Sequence, residues 1–89
     1  MLVTRNPSGK GLHCEFKNGC VLSIQWNEMN YAVEGESVEV AAWEPSGNWI
    51  DLPDSSGADT IVGWVPLKEV GKFMDIVRAY DLTFVQPVV

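Results

Sequence analysis

Few residues in this chain are of the types that do chemistry. The sequence has one histidine, His13, and two cysteines, Cys14 and Cys20. A histidine can act as an acid or base, but no nucleophile is visibly associated with this one, so a surface or ligand-contacting position is favoured. Two thiols and one imidazole fall short of a closed zinc site. We therefore expect a protein that is not an enzyme, binds no metal and has no cofactor.

The sequence has more residues suited to binding a ligand, and the first group could contact a phosphate. The segment 8–11, Ser-Gly-Lys-Gly, has the composition of a phosphate-binding turn but lacks the full P-loop spacing and its flanking strand and helix. A plain turn introduced by Asn6-Pro7 is favoured. A glycine-rich turn can nevertheless hold a phosphate when a cation is near. The candidate phosphate contacts are Arg5, Lys10 and Lys17.

Aromatic and amide side chains offer contacts to nucleobases. Rings stack on bases, and amides bond base edges. Trp43 and Trp49 lie on either side of one turn, and two interpretations stay open for them: stacking on a base, or burial beneath the helix or in a subunit interface, with burial favoured in so small a chain. Trp26 and Trp64 are predicted as core or interface. The remaining candidates follow a strand end: Gln25, Asn27, Asn30 and Tyr31.

Charge is distributed unevenly along the chain. The formal net charge is −6, but residues 1–17 hold three basic residues and one acid, whereas residues 18–66 hold eight acids and no Lys or Arg. A duplex-DNA binder is usually basic, so that class is disfavoured. The acidic segment is either a solvated surface or an imitation of nucleic-acid phosphates that blocks a basic groove.

Two hairpins must position these side chains. Apolar and polar residues alternate over residues 11–26, on either side of Asn18-Gly19. A three-residue loop at 17–19 places the alternating apolar set of both strands on one face. A second three-residue loop, 45–47, follows from Pro45 and Gly47. The second register pairs Ala42 with Ile50, Val40 with Leu52, and Trp43 with Trp49, the two tryptophans facing away from the aliphatic side chains.

The rest of the chain completes an α+β fold. A short strand over 60–65 precedes a helix that starts at Pro66, with apolar residues at helical spacing: Leu67, Val70, Phe73, Met74, Val77 and Tyr80. Residues 82–85 can add an edge strand. We expect a single domain over 1–89: a small antiparallel β-hairpin sheet, open or closed into a partial barrel, with one α-helix from the C-terminal half packed on it.

Location and assembly follow from the same composition. No apolar run is long enough for a signal peptide or a transmembrane helix, which predicts a cytoplasmic protein with reduced cysteines and no membrane partner. A chain of 89 residues buries a small core, and oligomerisation is a common remedy. We therefore expect a homo-oligomer.

The order of motifs resembles that of a known family. Asn18-Gly19, the run 22–26, Asn30-Tyr31, the run 37–43, Gly47-Asn48-Trp49 and the run 62–65 follow one another before a helix. This order resembles a widespread family of small phage-encoded accessory proteins over most of residues 11–80. The family is similar to the phage anti-CBASS sponges, which form homo-oligomers and sequester cyclic nucleotide immune signals.

The resemblance implies a viral immune-evasion protein in the host cytoplasm, a nucleotide sponge that binds a cyclic di- or trinucleotide without cleaving it. No site residue is carried over from the family; the residue types of this chain suggest that Tyr31 or a tryptophan would stack on a base. Gln25, Asn27 and Asn30 would contact base edges, and Arg5, Lys10 or Lys17 the phosphates. The alternative is an acidic protein–protein inhibitor of a host defence enzyme such as a nuclease. A third possibility is a structural or assembly factor with no small ligand.

Overall fold

A computed structural model describes residues 1–5, 10–26, 36–53 and 60–82. It confirms the predicted α+β fold, with one C-terminal helix packed on an antiparallel sheet. The strands are β1 (Leu2–Arg5), β2 (Gly11–Glu15), β3 (Val21–Gln25), β4 (Ser37–Trp43), β5 (Trp49–Ile50) and β6 (Val62–Pro66). A single 3-10 turn, Leu67–Glu69, leads into the helix α1 (Val70–Arg78).

The six strands form an open sheet in the order β1-β2-β3-β4-β5, with β6 also paired to β4. β5 pairs with Ala42 and Trp43 of β4, whereas β6 pairs with the residues from Ser37 to Val40. β5 and β6 therefore lie end to end along one edge of β4. Of the two predicted forms, the open sheet is the one found.

Both predicted hairpin loops are confirmed. Gly19 N–H donates to the Phe16 carbonyl at 2.9 Å, and Gly47 N–H donates to the Glu44 carbonyl at 2.8 Å. Gly19 has φ +83° and Gly47 has φ +94°, the left-handed conformation that closes such a three-residue loop. These loops fix the register, so Cys14 pairs with Leu22 and Trp43 pairs with Trp49.

Two features of the strands differ from expectation, and a third prediction falls mostly outside the described residues. The predicted pairing of Val40 with Leu52 is wrong: β5 ends at Ile50, and Val40 pairs with Val62 because β6 occupies that part of the β4 edge. Strand β1 was not predicted, since its residues are exposed on both sides and leave no alternating pattern. Of the predicted strand over 82–85, the residues after Leu82 lie outside the described part.

The core lies between the sheet and α1. Phe73 and Val77 of α1 are almost fully buried against the strands, as their helical spacing predicts, whereas Leu67 is half exposed in the 3-10 turn. Cys14 and Cys20 are free thiols within this core, and burial raises the pKa of both. The buried cluster comprises Cys14, Phe16, Cys20, Leu22, Ile24, Val38, Val40, Ala42, Ile50, Leu52, Val62, Val65, Phe73 and Val77.

Asn18 joins the first hairpin to the end of α1. Its side-chain Nδ2 donates to the carbonyls of Val77, Arg78 and Tyr80 at 3.0, 3.3 and 3.2 Å. Its Oδ1 accepts the Cys20 N–H at 3.0 Å. The last carbonyls of a helix have no partner within the helix. Asn18 therefore closes its own turn and caps α1 at the same time.

Tyr80 makes a second contact across the core, and it predicts a pH effect. Its hydroxyl donates to Glu44 Oε2 at 2.9 Å; this hydrogen bond, then burial and the charge of Glu44, raises the pKa of Tyr80. The folded chain holds this proton more tightly than the unfolded chain. The stabilisation is thus complete below about pH 10 and is lost as pH rises through the raised pKa.

Urea unfolding of wild type and Tyr80→Phe between about pH 8 and 11 checks this effect. We expect the stability advantage of the wild type to shrink with rising pH, because only the wild type carries the titrating hydroxyl. An advantage that stays constant over this range would show that the Tyr80–Glu44 bond contributes no pH dependence.

Candidate functional site

The sheet face opposite α1 carries half of the predicted site residues that the structure describes, namely Gln25, Trp43 and Trp49. Side chains alternate between the two faces of a sheet, and the register places one set on the side away from the core. We call this set the outer face. Its described members are Leu2, Thr4, His13, Glu15, Val21, Ser23, Gln25, Ser37, Glu39, Ala41, Trp43 and Trp49.

Three rings form a continuous row on the outer face. His13 and Trp43 meet edge to face, with ring centroids 5.2 Å apart and an interplanar angle of 87°. Trp43 meets Trp49 in the same way, at 5.5 Å and 80°. Edge-to-face contact is a favoured geometry for aromatic pairs. We call these three side chains the ring ladder; it extends from β2 to β5.

The ring ladder crosses β3 on a diagonal, between Ser23, which pairs with His13, and Val21, which pairs with Trp43. His13 on β2 pairs with Ser23, and Ser23 pairs with Ala41 on β4. Two strand spacings, about 10 Å, separate the backbones of β2 and β4. Ser23 and Ala41 are buried, and neither has the bulk to keep the two rings apart. The short side chain of Ser23 on β3 thus leaves room for the contact.

The position and exposure of the ring ladder exclude one form of the predicted burial of the tryptophan pair. Trp43 is partly buried, while Trp49 is 56% exposed at the outer end of the row. Both lie on the face away from α1, so burial beneath the helix is wrong. Burial in a subunit interface and contact with a ligand both remain compatible with an exposed ring.

Gln25 is the predicted amide that the structure places on the same face. Its Nε2 donates to Ser23 Oγ at 3.1 Å, which holds the amide against the sheet. Gln25 pairs with Glu39, four residues from Trp43 along β4, a separation of about 13 Å. The amide therefore lies at the end of the outer face away from Trp43 and Trp49, whereas His13 pairs with Ser23, the residue that holds the amide. Asn27, Asn30 and Tyr31 lie outside the described residues.

The three candidate phosphate contacts are not brought together. Arg5 pairs with Leu12, which faces the core side, so Arg5 lies on that side at the sheet edge. Lys10 precedes β2 at the Gln25 end, where its carbonyl accepts the Trp26 N–H at 3.2 Å. Lys17 lies at the other end, in the first hairpin turn. None of the three belongs to the outer face.

The charges on the outer face are acidic. Glu15 and Glu39 are its charged members, and the set contains no Lys or Arg among the residues the structure describes. Over the same residues, no cluster of His, Cys, Asp or Glu could hold a metal ion. Nor is any described helix both long and apolar enough to cross a membrane.

Sequence reasoning missed two features of this region. His13 was predicted as a surface or ligand-contacting residue, and its contact with Trp43 follows only once β3 and β4 are paired. Trp64 was predicted as core or interface, but it is 58% exposed with φ +57°, so the core interpretation is wrong. Gly63 and Trp64 lie opposite the single residue Glu39 in a β-bulge. Trp26, in contrast, packs against the core as predicted.

Comparison of the chain with protein-family models, curated proteins and solved structures finds no match.

Proposed function

We propose that this protein is a phage immune-evasion protein that sequesters a cyclic oligonucleotide signal of bacterial antiphage defence without cleaving it. The observation that supports this proposal is the ring ladder, which ends in the exposed indole of Trp49. The resemblance to phage accessory proteins supplies the biological setting. The ring ladder supplies a surface for a flat, aromatic ligand.

Stacking on Trp49 is the first step of the proposal. A base stacked on an aromatic side chain contributes about 1–3 kcal/mol. Trp43 contacts the Trp49 ring edge to face, and His13 contacts Trp43 from the other side. These contacts restrict how the indoles can turn, so less rotamer entropy is lost when a ligand binds. A preorganised ring suits tight binding without turnover.

Polar contacts form the second step. A glutamine amide offers both a donor and an acceptor, and Gln25 is held by Ser23 at the end of the outer face away from Trp49. Lys10, with Arg5 at the adjoining sheet edge, lies toward this end. In this arrangement one base stacks at the ring ladder, and the phosphates and second base lie toward Gln25. Glu15 and Glu39 repel phosphate, so the cations must come from the sheet end or a second subunit.

Replacing Trp49 tests the stacking step. We expect Trp49→Ala to weaken binding of a bound cyclic dinucleotide by about 10- to 100-fold, the equivalent of one lost stacking contact. Calorimetric titration against a panel of cyclic di- and trinucleotides provides the measurement. Leu67→Ala is the matched control, because Leu67 is comparably exposed, at 50% against 56%, and lies in the 3-10 turn before α1 rather than on the outer face.

The control should bind within about twofold of the wild type, since a distant surface change alters the free energy by less than about 0.5 kcal/mol. Equal losses in the two variants would argue against a specific role for the ring ladder. An unchanged affinity in Trp49→Ala would remove Trp49 from the site.

The acidic outer face favours a second candidate, a protein–protein inhibitor of a host defence enzyme such as a nuclease. Glu15 and Glu39 lie on the same face as the ring ladder, and carboxylates together with aromatic rings complement a basic partner bearing Arg or Lys. Capture of a basic host enzyme, weakened steeply by salt and by Glu15→Gln, would support this candidate. Capture that is unaffected by salt would argue against this candidate.

A further inference from the structure

A cavity on the core side of the sheet is separate from the outer face. It has a volume of about 280 Å³ and lies where the N-terminal residue, the first hairpin and α1 meet. Its described lining is Met1, Phe16, Lys17, Met74 and Arg78. The cavity therefore combines three apolar side chains with two cationic ones.

The size of the cavity limits what it can hold. An apolar cavity of about 150 Å³ accommodates benzene, and drug-sized ligands occupy pockets of about 300 Å³ and more. A volume of about 280 Å³ thus suits one ring with a short substituent. Met1 and Met74 have flexible thioether side chains, which adapt to the shape of an apolar group.

The charges at the cavity define the rest of the ligand. Arg78 forms a salt bridge with Asp75 one turn earlier in α1, so part of its charge is already compensated. Lys17 is exposed in the hairpin turn and forms no ion pair with a residue of the described part of the chain. An ammonium beside an apolar cavity attracts an anionic group attached to an apolar body.

We propose that this cavity is a binding site for a small aromatic anion, with the ring between Met1, Phe16 and Met74 and the anionic group at Lys17, supported by Arg78. The site needs neither the ring ladder nor a nucleotide. It therefore stands or falls independently of the proposed function. Its ligand class is an arylalkyl carboxylate or a similarly sized aryl phosphate.

Matched probes test the apolar and anionic parts of the site separately. Titration of 3-phenylpropionate and of the neutral 3-phenylpropan-1-ol is followed by NMR, using the Met74 methyl and the Phe16 ring as reporters. We expect both probes to shift these signals and the carboxylate to bind more tightly. Lys17→Gln should weaken the carboxylate by about 3- to 10-fold, the range of a charge-assisted bond that is partly exposed, and leave the alcohol unchanged.

Lys68→Gln is the control, since Lys68 is exposed in the 3-10 turn and is not part of the cavity lining. An unchanged affinity in this variant supports the proposal. Equal affinity for the acid and the alcohol would overturn it, as would equal losses in Lys17→Gln and Lys68→Gln. Absence of shifts at Met74 and Phe16 with millimolar probe would also overturn it.

Discussion

Replacement of Asn18 by Asp is expected to lower the free energy of unfolding by about 2–4 kcal/mol. The amide donates to the carbonyls of Val77, Arg78 and Tyr80, and a carboxylate cannot donate. The three carbonyls would lose the amide donor, while that of Val77 keeps the Tyr80 N–H, and a negative charge would face the negative end of the α1 dipole. Because a domain of this size is stable by only about 5–13 kcal/mol, this loss is a large fraction of the total.

Equilibrium unfolding in urea measures the loss, and Asn48→Asp is the matched control. Asn48 also lies in a hairpin turn, but it is exposed and contributes its backbone N–H and carbonyl to the turn. The same chemical change there should cost less than about 0.5 kcal/mol. Similar losses in both variants would mean that added negative charge, rather than the cap on α1, determines the result.

Replacement of Gly19 by Ala is expected to cost about 3 kcal/mol or more, for two reasons that add. Gly19 has φ +83°, and an L-residue in the left-handed region costs roughly 1–2 kcal/mol. A Cβ on Gly19 would also lie 2.6 Å from Cγ of Pro45, because the two hairpin turns pack against each other. Forced overpacking costs a further 1–3 kcal/mol or so.

Gly47→Ala separates the two contributions. Gly47 has φ +94°, and a Cβ there would meet nothing within 4 Å. Only the cost of placing an L-residue in the left-handed conformation therefore applies to this variant. We expect its melting temperature to fall by about 5–10 °C and that of Gly19→Ala by about 12–25 °C. Equal decreases would mean that the contact between the turns contributes nothing, and that conformation alone accounts for both losses.

Local signals in the sequence were enough to predict the two hairpins. Alternation of period two and the turn glycines are properties of neighbouring residues, and together they set the pairing of Trp43 with Trp49. The apolar spacing of Phe73 and Val77 similarly predicted the buried face of α1. Strand β1 lacks such a signal because Leu2 and Val3 are exposed. Val40 pairs with Val62 instead of the predicted Leu52 because a distant strand, β6, occupies that part of the β4 edge. No local pattern in the sequence encodes this pairing.

The candidate site was predictable to a smaller extent. Gln25, Trp43 and Trp49 share the outer face because alternation within each strand determines the side of the sheet. The meeting of His13 and Trp43 depends on β3 lying between them with short side chains, which is a property of the assembled sheet. The cations were grouped by their nearness in sequence, but in the folded chain Lys17 lies at the opposite end of the sheet from Arg5 and Lys10, and none of the three lies on the outer face.

The central claim is tested most directly by calorimetric titration of the wild-type protein with a panel of cyclic di- and trinucleotides. The bound nucleotide is then released by heat denaturation of the protein and identified by chromatography. The account predicts saturable binding of at least one member of the panel and recovery of that nucleotide intact and in full. Failure of every nucleotide to bind would contradict the account, and so would recovery of a linear or hydrolysed product in amounts exceeding the protein.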